Sequence, residues 1–263
     1  MKNPEERMDP WKEAIECYES IVDDIVIVGD KVNDEFKWSE LGNMFDEAFI
    51  KCDGDWVINL QVDMFIHEKD IKKLKNLIYN HSDEPAIALP KYKFFEPNRY
   101  EIKNFDTIIF NKKKFKNILF NGGGDLALPT LEGKILDQNS VACSNIPVWN
   151  YDTTFRTKEV IMKDRSRFAR AWNREFGNFG ERGGPTDEEA YLAWYEMVKS
   201  RYPLHVNKVD TSKHPKYIKE KLYNLTTEQF GYDLFGLKDN VSFSQLNKLK
   251  QKKIRYKYKL DSL

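Results

Sequence analysis

The 263-residue chain has no apolar run near the ~18 residues that a membrane-spanning helix needs, and its mean hydropathy is −0.67. Nor does it have a surplus of either charge: Lys+Arg 42 balances Asp+Glu 42, for a net charge of +0. The whole-chain basic field of a general nucleic-acid binder is therefore absent. Cysteine is scarce. Cys17, Cys52 and Cys143 are odd in number and lack metal-ligand spacing, which fits free thiols in a reducing compartment. The opening Met1-Lys2-Asn3-Pro4-Glu5-Glu6 lacks the apolar stretch of a secretory signal. These absences lead to the expectation of a soluble cytoplasmic protein. What is present is 41% hydrophobic residues, with aromatics at 14%. That stock builds a sizeable core and is inconsistent with a wholly disordered chain.

Periodicity predicts alternating elements. Asp9-Pro10 reads as an N-cap and first helical position, followed by Trp11, Ala14, Ile15, Tyr18 and Ile21 at helical spacing. Ile25-Val26-Ile27-Val28-Gly29-Asp30 reads as a strand buried on both faces and ending in a carboxylate. A helix is expected over 38–51, then a second buried strand, Trp56-Val57-Ile58-Asn59-Leu60-Gln61-Val62-Asp63, and a helix from about Lys69 to Asn80. Ala86–Leu89 and Thr107–Phe110 read as further strands. Such alternation predicts an α/β sheet with crossover connections, whose ligands sit beyond the strands' carboxyl ends. From Thr157 the texture turns charge-rich and helical, over 157–176, 186–201 and a tail from about Ser242. The basic run Lys248–Arg255 reads as a solvated helix end, or as a contact for an anionic partner or a membrane surface.

Three stretches carry candidate chemistry. Asp63, followed by His67 and Glu68, places hard oxygen ligands at a strand end, suited to Mg²⁺ or Mn²⁺ beside a substrate diphosphate. The alternative is that Asp63 caps the next helix. A zinc-protease reading of His67-Glu68 fails because Ile71 stands where a second histidine is needed. In Asn121-Gly122-Gly123-Gly124-Asp125 the glycines allow close backbone approach to a ligand, and Asp125 follows as a candidate general base. A tight turn is the alternative there. Trp149–Lys158 joins aromatics to Asp152, Arg156 and Lys158, a mixture that stacks on rings and neutralises phosphate. Tyr92, Phe94, Phe95 and Tyr100 are expected in the core. His81, His205 and His214 stand in polar segments, and no role is expected for them.

The order of these motifs resembles the nucleotide-sugar-dependent glycosyltransferases of family 2, with the GT-A fold. The matching stretches are Pro10–Ile15, Val22–Asp30 and Asp53–Asp63, and the resemblance covers roughly residues 1–155. It implies a GT-A-like, Rossmann-like mixed sheet flanked by helices as residues 1–155, with a helical extension, residues 156–263, packed on it. It also implies sugar transfer from a nucleotide-diphosphate donor to a glycan or other hydroxyl acceptor, inverting and assisted by Mn²⁺ or Mg²⁺. Carried over, Asp63 is the metal-binding second aspartate of the family's Asp-x-Asp, Asp152 a late metal or phosphate contact, and Asp30 a carboxylate near the nucleobase or ribose. Arg156 and Lys158 would meet the donor phosphates, and Asp125 would be the acceptor-side base, with Asp152, Asp187 and Glu188 in reserve. Two departures stand out. Gln61 replaces the first aspartate, and the family's first strand has no counterpart here. Both favour the alternative of a degenerate domain that binds nucleotide or glycan without turnover.

Overall fold

Regular hydrophobic spacing becomes helix where it was expected. The computed structural model describes residues 4–29, 35, 37, 39–121, 127–240 and 249. Helix α1 (Trp11–Glu19) buries Ala14, Cys17 and Tyr18, while Pro10 takes the N-cap position, one residue later than predicted. Helices α2 (Glu40–Lys51) and α3 (Ile71–Asn80) follow the predicted spans closely. In the second half, α4 (Lys158–Phe176) starts at Thr157, whose hydroxyl accepts from the Val160 amide, and stops at Gly177 in the left-handed region. Helix α5 (Asp187–Arg201) opens on a capping box between Thr186 and Glu189. Helices α6 (Lys216–Tyr223) and α7 (Phe230–Asp233) follow. None of the described helices is long and apolar enough to cross a membrane.

The strands are β1 (Val57–Ile58), β2 (Met64–Ile66), β3 (Ala86–Glu96), β4 (Arg99–Phe110), β5 (Ile118–Asn121), β6 (Leu128–Leu131), β7 (Lys134–Ile135), β8 (Ala142–Cys143), β9 (Val148–Asn150) and β10 (Asn207–Lys208). The main sheet runs β1-β4-β3-β9-β2, with β10 also on β4 and β8 also on β3. Strands β3 and β4 form a long antiparallel hairpin, β9 lies parallel to β3, and β2 closes antiparallel on β9. A smaller antiparallel sheet, β5-β6-β7, stands apart from it. The fold is thus a mixed α/β sheet flanked by helices. The part beyond residue 155 is not a detached layer, because β10 pairs with β4 and α6 packs on α1.

Two predicted strands differ from what forms. Ile25–Val28 joins no ladder among the described residues, and Ile27 is 72% exposed. A β-branched run becomes a strand only when a neighbouring strand offers a ladder, and no strand among the described residues pairs with this one. The predicted strand 56–63 breaks into two. β1 pairs with β4 at one edge, residues 59–63 cross over, and β2 pairs with β9 at the other edge. Asp63 consequently precedes a strand instead of ending one.

Alternation along β3 divides the sheet's two faces. Tyr92 and Phe94 stack with Tyr100 and Trp149 in a core that α1, α3 and α6 cover. Phe95 meets Ile161, Tyr191, Trp194 and Phe230 from α4, α5 and α7. Lys91 and Lys93 share the face of Phe95 by the same alternation, and the Lys93 ammonium lies 5.4 Å from its ring centre. That face carries the charged site.

Candidate functional site

Antiparallel pairing brings two of the expected site residues together. Asp63 immediately precedes β2 and Asp152 follows β9 by two residues. Met64 pairs with Asn150, and the Tyr151 amide donates to the Asp63 carbonyl at 2.9 Å. Asp63 is 7% exposed, and its Oδ1 has no hydrogen-bond partner among the described residues. Burial, with the charges of Asp152 and Asp9, pushes its pKa up to about 6 against the pull of Arg156 and Lys91. It caps no helix. The cap of the turn at Glu68–Asp70 is His67, whose Nδ1 accepts from the Lys69 amide. Glu68 accepts instead from the Lys216 amide at 3.0 Å, at the start of α6.

Asp152 is the more open carboxylate, its side chain 26% exposed. Its Oδ2 lies 3.0 Å from Lys93 Nζ and 3.8 Å from Arg165 Nη2, and its Oδ1 lies 3.8 Å from Arg156 Nη1. Burial works to raise its pKa, but the charges of Lys93, Arg165 and Arg156 outweigh that and hold it well below the usual carboxylate range. Lys93 reaches Asp152 because β3 and β9 run parallel, with Lys93 opposite Asn150. Arg165 comes from α4 and lies 5.7 Å over the Trp194 ring. Its guanidinium makes no hydrogen bond among the described residues, and its Nε is buried without a partner.

Arg156 is differently employed. It is 3% exposed, and its Nε and Nη2 donate to Asp9 Oδ1 at 3.1 and 2.7 Å while Nη1 donates to Asp164 Oδ2 at 3.1 Å. Arg7 bonds both Asp9 and Asp164, closing a ring of four charges that ties the segment before α1 to α4. The guanidinium expected to meet donor phosphate is committed to this clasp, and Asp9, expected as a helix cap, is its counter-ion. Lys158 opens α4, exposed, with its ammonium 4.8 Å from the centre of the Tyr191 ring. Asp187 accepts from the Ser166 hydroxyl where α5 meets α4, and Glu188 follows in the same helical turn. Asp30, Asp125 with Gly122–Gly124, and the basic tail apart from Leu249 lie outside the described residues.

Sequence reading missed Lys93, Arg165, His205 and His214. His214 Nε2 can bond the Pro97 carbonyl, 2.6 Å away, only as a donor, so its Nδ1 accepts from the Tyr151 hydroxyl at 2.7 Å. Burial lowers the His214 pKa to about 4 and keeps the ring neutral. This pair anchors the residue between β9 and Asp152. His205 is fully buried against Phe95, at a ring-centre distance of 4.4 Å. Only the sequence position of Asp152 directly after Tyr151 signalled any of this.

The residues present do not fit a divalent ion as they stand. Asp152 already carries its counter-charge from Lys93 and Arg165. Asp63 is buried beside it, with one of its oxygens hydrogen-bonded to nothing among the described residues. Gln61, at the first Asp-x-Asp position, is exposed. No protein-family model matches this chain, and no curated protein does either.

Proposed function

We propose that this chain transfers a sugar from a nucleoside-diphosphate donor to an acceptor hydroxyl at the sheet end where Asp63 and Asp152 meet. The observation that carries this reading is the convergence of those two carboxylates, from segments 89 positions apart (63 to 152), beside a cluster of basic side chains. Rupture of the anomeric C–O bond leaves charge on a diphosphate, and preorganised positive charge stabilises it. The basic side chains nearest Asp152 are Lys93, Arg165 and Arg156. The acceptor hydroxyl gives its proton to a carboxylate, for which Asp125 is the sequence-based candidate and Asp152, Asp187 and Glu188 the reserves.

A transfer and donor-hydrolysis assay with UDP- and GDP-sugars, with and without Mn²⁺, tests this reading. Asp125→Asn is expected to lower turnover by ~10²–10⁴-fold while nucleotide affinity is retained. Unchanged turnover moves the base to a reserve residue, and lost nucleotide binding makes Asp125 a donor-site residue. Binding without turnover is the second reading, favoured by the exposed Gln61. Nucleotide affinity with no donor cleavage under any metal condition would select it.

A further inference from the structure

We infer that Lys93 and Arg165, gathered by Asp152, form a diphosphate-binding cradle whose protein cations take the place of a divalent ion. This inference rests on the nucleotide-donor reading above. Three features support it. Lys93 and Arg165, from β3 and α4, converge on the one carboxylate of Asp152, at 3.0 and 3.8 Å. Arg156 adds to the field at 3.8 Å but is spent on Asp9 and Asp164. The Arg165 guanidinium has no hydrogen bond among the described residues, although it is a planar fork of five donors suited to phosphate oxygens. Its side chain and that of Asp152 are each 26% exposed, so an anion can reach them, whereas Lys93 is 8% exposed and held rigidly on β3.

In this arrangement Asp152 is a placeholder. It keeps two cations together while the cradle is empty and competes with the anion for them when it is filled. A metal site and a cation cradle therefore predict opposite effects for the loss of Asp152. In a metal site its carboxylate is a ligand, and removing it weakens nucleotide binding. In a cradle its removal frees Lys93 and Arg165 for phosphate.

Calorimetric titration of the full chain with UDP, GDP and inorganic pyrophosphate, in Mn²⁺ and again in EDTA, decides between them. Affinity is expected to survive EDTA within about twofold, and Arg165→Met and Lys93→Met are each expected to weaken it about tenfold or more, the worth of one charge-assisted hydrogen bond. Arg165→Lys should restore part of the loss. Asp152→Asn is expected to lower the melting temperature of the empty protein yet hold or tighten pyrophosphate binding. Arg165→Met removes no hydrogen bond among the described residues, so it remains informative if Lys93→Met does not fold. Binding that EDTA abolishes, or that Asp152→Asn loses, overturns the cradle and leaves the transferase reading standing. No binding of any of the three anions in either condition overturns both.

Discussion

At Asp63 a carboxylate sits inside the protein with one oxygen unpaired, and that has a measurable pH signature. Its pKa rises from an ordinary 3.8 to about 6, so the folded chain holds this proton more tightly than the unfolded chain does. Stability from this group is full below about pH 4 and is lost as pH climbs through 6. Asp63→Asn is expected to stabilise the protein at pH 8, by roughly 3 kcal/mol at most, and to make no difference at pH 4. Melting curves of both proteins at the two pH values check it; an equal shift at each would refute the assignment. His214 works in the opposite direction. Its pKa falls to about 4, so its contribution to stability is full above the ordinary 6.5 and is lost as pH drops through 4. Tyr151→Phe leaves Nδ1 of a buried ring without its donor and is expected to cost about 1–3 kcal/mol. Proton NMR should show wild-type His214 still neutral at pH 5.

Among the elements, α5 depends most visibly on its first turn. Thr186 and Glu189 satisfy each other's backbone amides there, and three acidic residues, Asp187, Glu188 and Glu189, face the positive end of the helix dipole. Gly183 precedes this turn at φ +78°, and a Cβ on it would lie 2.2 Å from the Glu189 carbonyl oxygen, so the loop folds back closely against the helix. Thr186→Ala is expected to cost about 1 kcal/mol and to lower the melting temperature by about 2–4 °C. Thermal unfolding followed by circular dichroism measures it. Because α5 and α4 pack together and α4 carries Arg165, loosening this turn should also weaken any anion bound at Asp152.

For the whole molecule the ring Arg7-Asp9-Arg156-Asp164 joins the two halves of the chain. Asp9 and Arg156 are 147 residues apart in sequence and both are buried. Removing one partner strands charges that the fold has already taken out of water. Arg156→Met is therefore expected to destabilise the protein by about 3–5 kcal/mol, as read from the urea midpoint. A variant of wild-type stability with impaired nucleotide binding would show instead that this guanidinium faces the ligand.

Residue order by itself determined the helices at 40–51, 71–80, 158–176 and 187–201, because helical spacing, N-caps and terminal glycine act within a few residues of one another. It also nominated Asp63, since a carboxylate beside an apolar strand is visible without knowing its neighbours, and Asp152, as part of the aromatic and charged stretch Trp149–Lys158. Only the tertiary structure decided that Ile25–Val28 joins no ladder among the described residues and that 56–63 divides between two edges of one sheet, because a strand exists only through its partner. The same holds for charge. Arg156 looks like a phosphate ligand until Asp9 and Asp164 are folded against it, and Lys93 looks like a surface lysine until β9 carries Asp152 to within 3.0 Å. Electrostatic partners are set by distance through space, and a basic side chain's role follows from which carboxylate the fold brings to it.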